Sequence, residues 1–226
     1  MNITDIKNQF IEKYKNNEFV INDKGDKTIE IIDANFEILK DENVIFGELN
    51  EYANRELEWY KSMSLNVNDI PGKVPTIWKI VADYDGYINS NYGWCIWHED
   101  NYNQYKNCLK HLINDQNTRQ ACMIYNRPSM QYDYDENGMS DFMCTFAVQV
   151  FIRNGILIYN VLMRSNDAVY GFKNDLFWHR HVIKNLLEDL KYNGIEISDY
   201  KLLWHAGSLH LYERNFNYIE NLIKNN

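Results

Sequence analysis

The dipeptide Asn154-Gly155 constrains this chain more than any other pair of residues. Asn and Gly tolerate the left-handed backbone that a two-residue hairpin turn demands, and both flanks here are apolar. Upstream, Phe142, Cys144, Phe146, Val148 and Val150 alternate along one face of a strand over 142–152; downstream, an apolar strand runs to Met163. A two-residue turn pairs Arg153 with Ile156, and counting back along that register puts Cys144 opposite Ser165. A bulge near the strand end would instead swing Arg164 toward the Cys144 face.

The hairpin leads into Met163-Arg164-Ser165-Asn166-Asp167-Ala168-Val169-Tyr170-Gly171-Phe172-Lys173-Asn174-Asp175, where a cation, two hydroxyls and two carboxylates lie between a strand and a helix. Such a stretch suits a bound anion. In either register Cys144 neighbours Arg164 and Ser165, and a guanidinium beside a thiol favours the thiolate, the form a nucleophile needs. Without that neighbour a strand cysteine reads as an inert buried thiol.

Elsewhere, Ile6, Phe10, Ile11 and Tyr14 predict an amphipathic helix over 4–14. Strands at 19–21 and 28–32 flank the polar loop 22–27, with Lys27 at its exit. A helix over 49–60 sets Glu56 on the stripe of Leu49, Tyr52, Ala53 and Tyr60 that should enter the core. Two readings follow: a slight rotation buries Leu57 and leaves Glu56 at the edge, or Glu56 is a buried, functional carboxylate. A helix over 101–114 turns Tyr102, Tyr105, Leu109 and Leu112 inward. A strand at 121–125, a helix from Asn174-Asp175 to about Tyr192, a central strand at 201–204 and a helix at 216–223 complete the pattern. With no regular βαβ rhythm, the class is α+β with a mixed or largely antiparallel sheet, in a single domain over 1–226.

A net charge of -9 argues against a nucleic-acid polymer as partner, although a few local cations suffice for one phosphate. Neither GxGxxG nor a phosphate-loop lysine motif is present. The histidines, including His179 and His181 at i, i+2 on a helix, form no ligand motif, so no metal is expected. Cysteines without CxxC spacing and an N-terminus lacking a secretory h-region or membrane span point to free thiols and the cytoplasm.

Three ordered motifs carry a resemblance: Asp141-Phe142-Met143-Cys144; Arg164-Ser165-x-Asp167 with Gly171; and Gly207-x-x-His210-x-Tyr212. Together they resemble the thymidylate synthase family over about 19–216. Arg55-Glu56-Leu57-Glu58-Trp59-Tyr60-Lys61, Ile88-Asn89-Ser90-Asn91-Tyr92-Gly93-Trp94 and Arg127-Pro128-Ser129-Met130-Gln131 are similar to its phage deoxycytidylate hydroxymethylase branch. The resemblance implies a homodimer packed through the faces of a bent sheet flanked by helices, acting on dCMP with 5,10-methylenetetrahydrofolate as co-substrate. It also implies a virus that modifies its DNA, working in the host cytoplasm, with membership of a nucleotide-synthesis assembly left open.

By the same resemblance Cys144 adds to pyrimidine C6, and Arg164 and Ser165 hold the phosphate. Lys27 and, from the second subunit, Arg119 add charge to that grip. His210 and Tyr212 bond the sugar 3′-hydroxyl, Tyr92 and Glu56 manage protons and water, and Trp78 and Asp167 contact the folate. Asp175 stands where thymidylate synthases carry asparagine, and a carboxyl with one proton suits the cytosine edge, an acceptor at N3 and a donor at N4. The given sequence ends at Asn226, soon after Tyr212, so a long C-terminal lid is not expected and water gains access. Gln120, Thr145 and Met163 depart from the family's usual arginine, histidine and glutamine. Action on dUMP, methyl transfer, action on CMP, and a binding module without turnover remain as alternatives.

Overall fold

The computed structural model describes residues 1–23 and 25–224; Lys24 of the predicted polar loop and the chain end at Asn226 lie outside the described residues. In chain order the elements are α1 (Ile3–Lys15), β1 (Val20–Ile21), β2 (Lys27–Ile38), α2 (Tyr52–Ser62), α3 (Thr76–Val81), α4 (Tyr92–Trp97) and α5 (Gln104–Asn114). There follow β3 (Cys122–Ile124), α6 (Met130–Asp133), β4 (Thr145–Arg153), β5 (Ile156–Asp167), α7 (Gly171–Tyr192), β6 (Asp199–Tyr212) and α8 (Asn217–Lys224).

One six-stranded sheet, in the order β1-β2-β6-β5-β4-β3, organises the chain. Only β5 and β6 run parallel, joined by the α7 crossover, so the sheet is mixed. Helix α7 covers the core face of β5 and β6. Phe172 meets Trp204 with ring centroids 5.1 Å apart, and His179 lies between Trp204 and Tyr159. Full burial of a side chain such as Trp178 contributes on the order of 2–3 kcal/mol, and Trp59, Trp178 and Trp204 are all fully buried.

The hairpin forms as its turn dictates. Asn154 (φ 53°) and Gly155 (φ 71°) both adopt left-handed backbone, and Arg153 faces Ile156. Register then holds from that pair to Ala147 and Leu162, where it slips: Thr145 faces Met163. The prediction that Cys144 faces Ser165 is therefore corrected. Because Phe146 is the extra residue of a bulge, Arg164 moves opposite Cys144, and its N–H donates to the Cys144 carbonyl at 2.7 Å. The strand also begins at Thr145 rather than Phe142, which leaves Cys144 just outside it. Phe146 turns to solvent and does not share the buried face of Val148 and Val150.

That slip belongs to a bend crossing the sheet. In β5 the buried residues are odd-numbered from Leu157 to Met163 and then switch at Asn166. In β6 they switch from Leu202, Trp204 and Ala206 to Leu209 and Leu211, and in β2 from Ala34, Phe36 and Ile38 to Ile29 and Ile31. Asp33 (φ 57°), Gly207 and Arg164 occupy the switch points. A Cβ on Gly207 would meet the Arg164 carbonyl at 3.0 Å, so the tight approach there requires glycine. The expected bent, mixed sheet is thus present, and the bend delivers Arg164 and Ser165 to the side occupied by Cys144.

Other boundaries moved. β2 and β6 are far longer than the predicted 28–32 and 201–204, because each continues through the bend. α7 opens at Gly171, so Asp175 sits inside its second turn and not at its N-terminus. Tyr102 caps a short 3-10 turn with left-handed backbone and is exposed, so it does not join Tyr105 and Leu112 against the core. Glu56 is buried with Ala53, Trp59 and Tyr60 on α2, while Leu57 is only half-buried; the edge reading of Glu56 is overturned.

Candidate active site

Cys144 lies between the bend and the start of α7. The Arg164 guanidinium approaches its thiol at 3.8 Å and also donates to the carbonyls of Met143 and Phe142, both at 3.3 Å. Its planar group rests on the Phe142 ring, 5.0 Å from the centroid. Arginine therefore faces Cys144 as expected, but the thiol is not low. Burial pushes it up to about 11, the Asp175 charge adds to the rise, and Arg164 only opposes them. In the free protein the expected thiolate is a minority form, and Arg164 sets how small that minority is.

Beyond the bend, β5 and β6 run side by side with Ser165 beside Ser208 and Asp167 beside His210. Ser165 Oγ and His210 Nδ1 are 3.4 Å apart, and the rings of His210 and Tyr212 meet edge-on at 4.9 Å. Burial lowers the His210 pKa, which favours a neutral imidazole suited to bonding a hydroxyl. Across β2, Glu30 faces His210 and Thr28 faces Tyr212, so one sheet face presents a row of hydroxyls and an imidazole. Lys27 enters at the end of this row, over the Phe19 ring, and lines a cleft of about 670 Å³ with Arg214 and Phe216.

Asp175 receives the Asn166 amide N–H on Oδ2 at 2.7 Å and is hydrogen-bonded to Tyr92. Burial first, then the charge of Glu56, raise its pKa well above the ordinary carboxyl value, so the neutral acid is favoured. Tyr92 is itself buried on α4, and its oxygen accepts from Thr145 Oγ1 at 2.9 Å. Thr145, a departure from the family pattern, thus leaves the Tyr92 proton free for Asp175. Glu56 forms the next link: Tyr52 donates to its Oε1 at 2.7 Å, and Trp78 Nε1 donates to the Tyr52 hydroxyl at 2.6 Å. Burial pushes the Glu56 carboxyl up to about 7 despite that bond.

Asp167 does not reach Cys144 by a direct bond; its Oδ1 takes the Val169 N–H at 2.8 Å and shapes the turn into α7. Arg119 stands apart, exposed at the β3 edge, its carbonyl held by Gln149 in the middle of β4. The structure thus gathers Cys144, Arg164, Ser165, His210 and Tyr212 around the bend, and links Tyr92, Asp175 and Glu56 by bonds and fields. Sequence reading missed Tyr52, Thr145 and Asn166. Tyr52 was legible as the polar residue four positions before Glu56 on one helical face; Asn166 carried no signal beyond its neighbours.

Among the described residues no group of three or more His, Cys, Asp or Glu could hold a metal ion, and no helix is long and apolar enough to cross a membrane. A second cavity of about 390 Å³ opens where Tyr52 and Asn174 meet Arg55, Lys73 and Lys173.

The comparisons agree with this geometry. The sequence is 53% identical over 206 residues to the deoxycytidylate 5-hydroxymethyltransferase of Enterobacteria phage T4, covering 89% of this chain and 82% of the phage protein, with the same figures for phage T2. It is 26% identical over 177 residues to thymidylate synthase of Bacillus subtilis subsp. natto, covering 75% and 59% of the two chains. In fold it is similar to the solved thermostable thymidylate synthase A from Bacillus subtilis, with TM-score 0.70 and 19% identity, across 99% of this chain and 84% of that one. The family model described as thymidylate synthase matches residues 27–226, and so the chain belongs to the thymidylate synthase family.

Proposed function

We propose that the protein is a deoxycytidylate 5-hydroxymethyltransferase, converting dCMP, 5,10-methylenetetrahydrofolate and water into 5-hydroxymethyl-dCMP and tetrahydrofolate. The observation that carries the choice of base is Asp175: a carboxyl bonded to Tyr92 and Asn166, driven toward its neutral form, and near enough to Cys144 for its charge to act on the thiol. A neutral carboxylic acid offers one donor and one acceptor, which matches N3 and the N4 amino group of cytosine.

Arg164 and Ser165 bind the phosphate, and His210 and Tyr212 the 3′-hydroxyl, which brings pyrimidine C6 to the Cys144 sulfur. Addition of the thiolate to C6 moves the ring electrons to C5 and makes that carbon the nucleophile. Binding the ring against Asp175 also keeps that carboxyl neutral, which relieves the term that raises the thiol. Glu56, poised at about 7, can both take and return a proton near neutral pH, the property a group managing water needs.

The folate co-substrate supplies the one-carbon unit when bound. Its fit rests on the cavity of about 390 Å³ backed by Tyr52, where the buried Asn174 Oδ1 lacks a protein partner and Arg55, Lys73 and Lys173 suit an acidic tail. Trp78 and Asp167 are the proposed contacts to its ring system.

We read residues 1–226 as one catalytic unit that works as a homodimer. The sheet face opposite α7 carries half-buried Phe151, Ile156, Ile158, Leu162 and Leu203, an apolar surface suited to a second copy. Arg119 lies toward that edge and is proposed to reach the phosphate of the partner's substrate. Release of tritium from [5-³H]dCMP that requires the folate, with 5-hydroxymethyl-dCMP identified by mass spectrometry, is the expected result. Release from [5-³H]dUMP alone would overturn the base assignment, a methylated product would overturn the reaction, and binding of dCMP with no exchange would favour a module without turnover.

A further inference from the structure

Asn166 has no part in the chemistry set out above, yet its environment is costly. It is 3% exposed, its Nδ2 donates to Asp175 Oδ2 at 2.7 Å, and its Oδ1 is buried without a hydrogen-bond partner. An orphaned buried acceptor is destabilising, so the bond to Asp175 is kept at the expense of fold stability. The start of α7 closes over this contact: a Cβ on Gly171 would lie 3.3 Å from Asn166 Nδ2 and 3.7 Å from Asp175 Oδ2.

A neutral carboxylic acid alone is an ambiguous reader of pyrimidines. With its proton on one oxygen it matches cytosine; with the proton on the other it matches uracil, whose N3–H donates and whose O4 accepts. Discrimination requires that the proton be fixed. Tyr92 cannot fix it, because a hydroxyl can either donate or accept. The Nδ2 group can only donate, and an oxygen receiving a short N–H bond serves best as the carbonyl oxygen of the acid. We infer that Asn166 is a positioning residue that holds the Asp175 proton on Oδ1, and thereby makes Asp175 read cytosine and reject uracil.

This inference rests on the proposed function, and the test separates the two. Tritium release from [5-³H]dCMP and [5-³H]dUMP gives the ratio of kcat/KM for the two bases in the parent, Asn166→Ala, Asp175→Asn and the double variant. Loss of Asn166 is expected to lower the dCMP-to-dUMP ratio roughly tenfold, through both a poorer dCMP KM and better use of dUMP. In the Asp175→Asn background the same substitution should leave the ratio unchanged, because no acid proton remains to be placed. If Asn166→Ala does not fold, Asn166→Cys, similar in size and a weak donor, carries the same expectation. Equal losses on both bases, with the ratio kept, would reduce Asn166 to a structural role and overturn the inference. A parent enzyme active on dUMP alone would instead overturn the proposed function, whatever Asn166 does.

Discussion

Replacing Arg164 by glutamine removes a charge from the Cys144 thiol while retaining an amide that can reach the Phe142 and Met143 carbonyls. At the observed 3.8 Å, a unit charge acting on a thiolate through an effective dielectric near 20 is worth about 4 kcal/mol. That energy corresponds to about three pH units, and the half-exposed position of Arg164 reduces it to roughly one or two. Arg164 lowers the thiol pKa, so its loss raises a value that already stands near 11. The thiolate fraction at pH 7 should then fall about 10- to 100-fold. Iodoacetamide labelling followed by peptide mass spectrometry measures this directly, since the labelling rate follows the thiolate and the mapping separates Cys144 from Cys95, Cys108 and Cys122. Asp175→Asn serves as the counterpart: with Asp175 already favoured as the neutral acid, its replacement should change the labelling rate at pH 7 far less. A rate for Cys144 that survives Arg164→Gln unchanged would refute the electrostatic role given to Arg164.

Four further outcomes are expected. Asp175→Asn should move base preference toward dUMP by about tenfold or more in kcat/KM, read by tritium release from the two labelled nucleotides. Glu56 has a folded-state pKa raised from 4.5 to about 7, so the folded protein holds this proton more tightly and loses stability as pH rises through that window. Glu56→Gln should therefore melt higher than the parent at pH 8, by up to about 3 kcal/mol of stability, and nearly alike at pH 4.5 in scanning calorimetry; equal shifts at both pH values would contradict the buried charge. His179 is buried neutral, with its pKa pushed down to about 3, so its contribution is complete above 6.5 and is lost as pH falls toward 3. His179→Gln should flatten the fall in stability between pH 6.5 and 4, measured by urea unfolding. Leu162→Glu on the outer sheet face should yield monomers by light scattering and, with Arg119 withdrawn from the second site, little activity.

How far the sequence carried the argument can be judged at the hairpin. Asn154-Gly155 determined the turn and the register from Arg153 to Ala147, since local backbone preference and alternating side chains agreed there. The bulge at Phe146 was not legible, because it is set by a bend that also passes through Asp33, Gly207 and Arg164, residues far apart in the chain. Cys144, Arg164, Glu56, Asp175 and Tyr92 were identified by residue type and motif order. Their protonation states were not, since these depend on how deeply the helices bury them. The thiolate expectation failed for that reason: one favourable charge was visible in sequence, while the desolvation opposing it was not.

Those burial terms make the cavity less anionic than its composition suggests. Glu56 and Asp175 are both pushed toward their neutral forms, so near pH 7 a nucleotide phosphate meets Arg164 and the Lys27 cleft without the full repulsion of two carboxylates. A chain of net charge -9 can hold an anion because it suppresses charge where the ligand binds and keeps acidic groups such as Glu51, Asp100 and Asp135 at the surface. The arrangement carries a consequence for pH. Raising the pH through 7 ionises Glu56, adds charge beside Asp175 and weakens the hold on the nucleotide. The KM for dCMP should accordingly climb between pH 7 and 9 in the parent and climb less in Glu56→Gln, with kcat for that variant depressed throughout. A KM rise of the same size in both would assign the effect to another group and remove Glu56 from the electrostatics of binding.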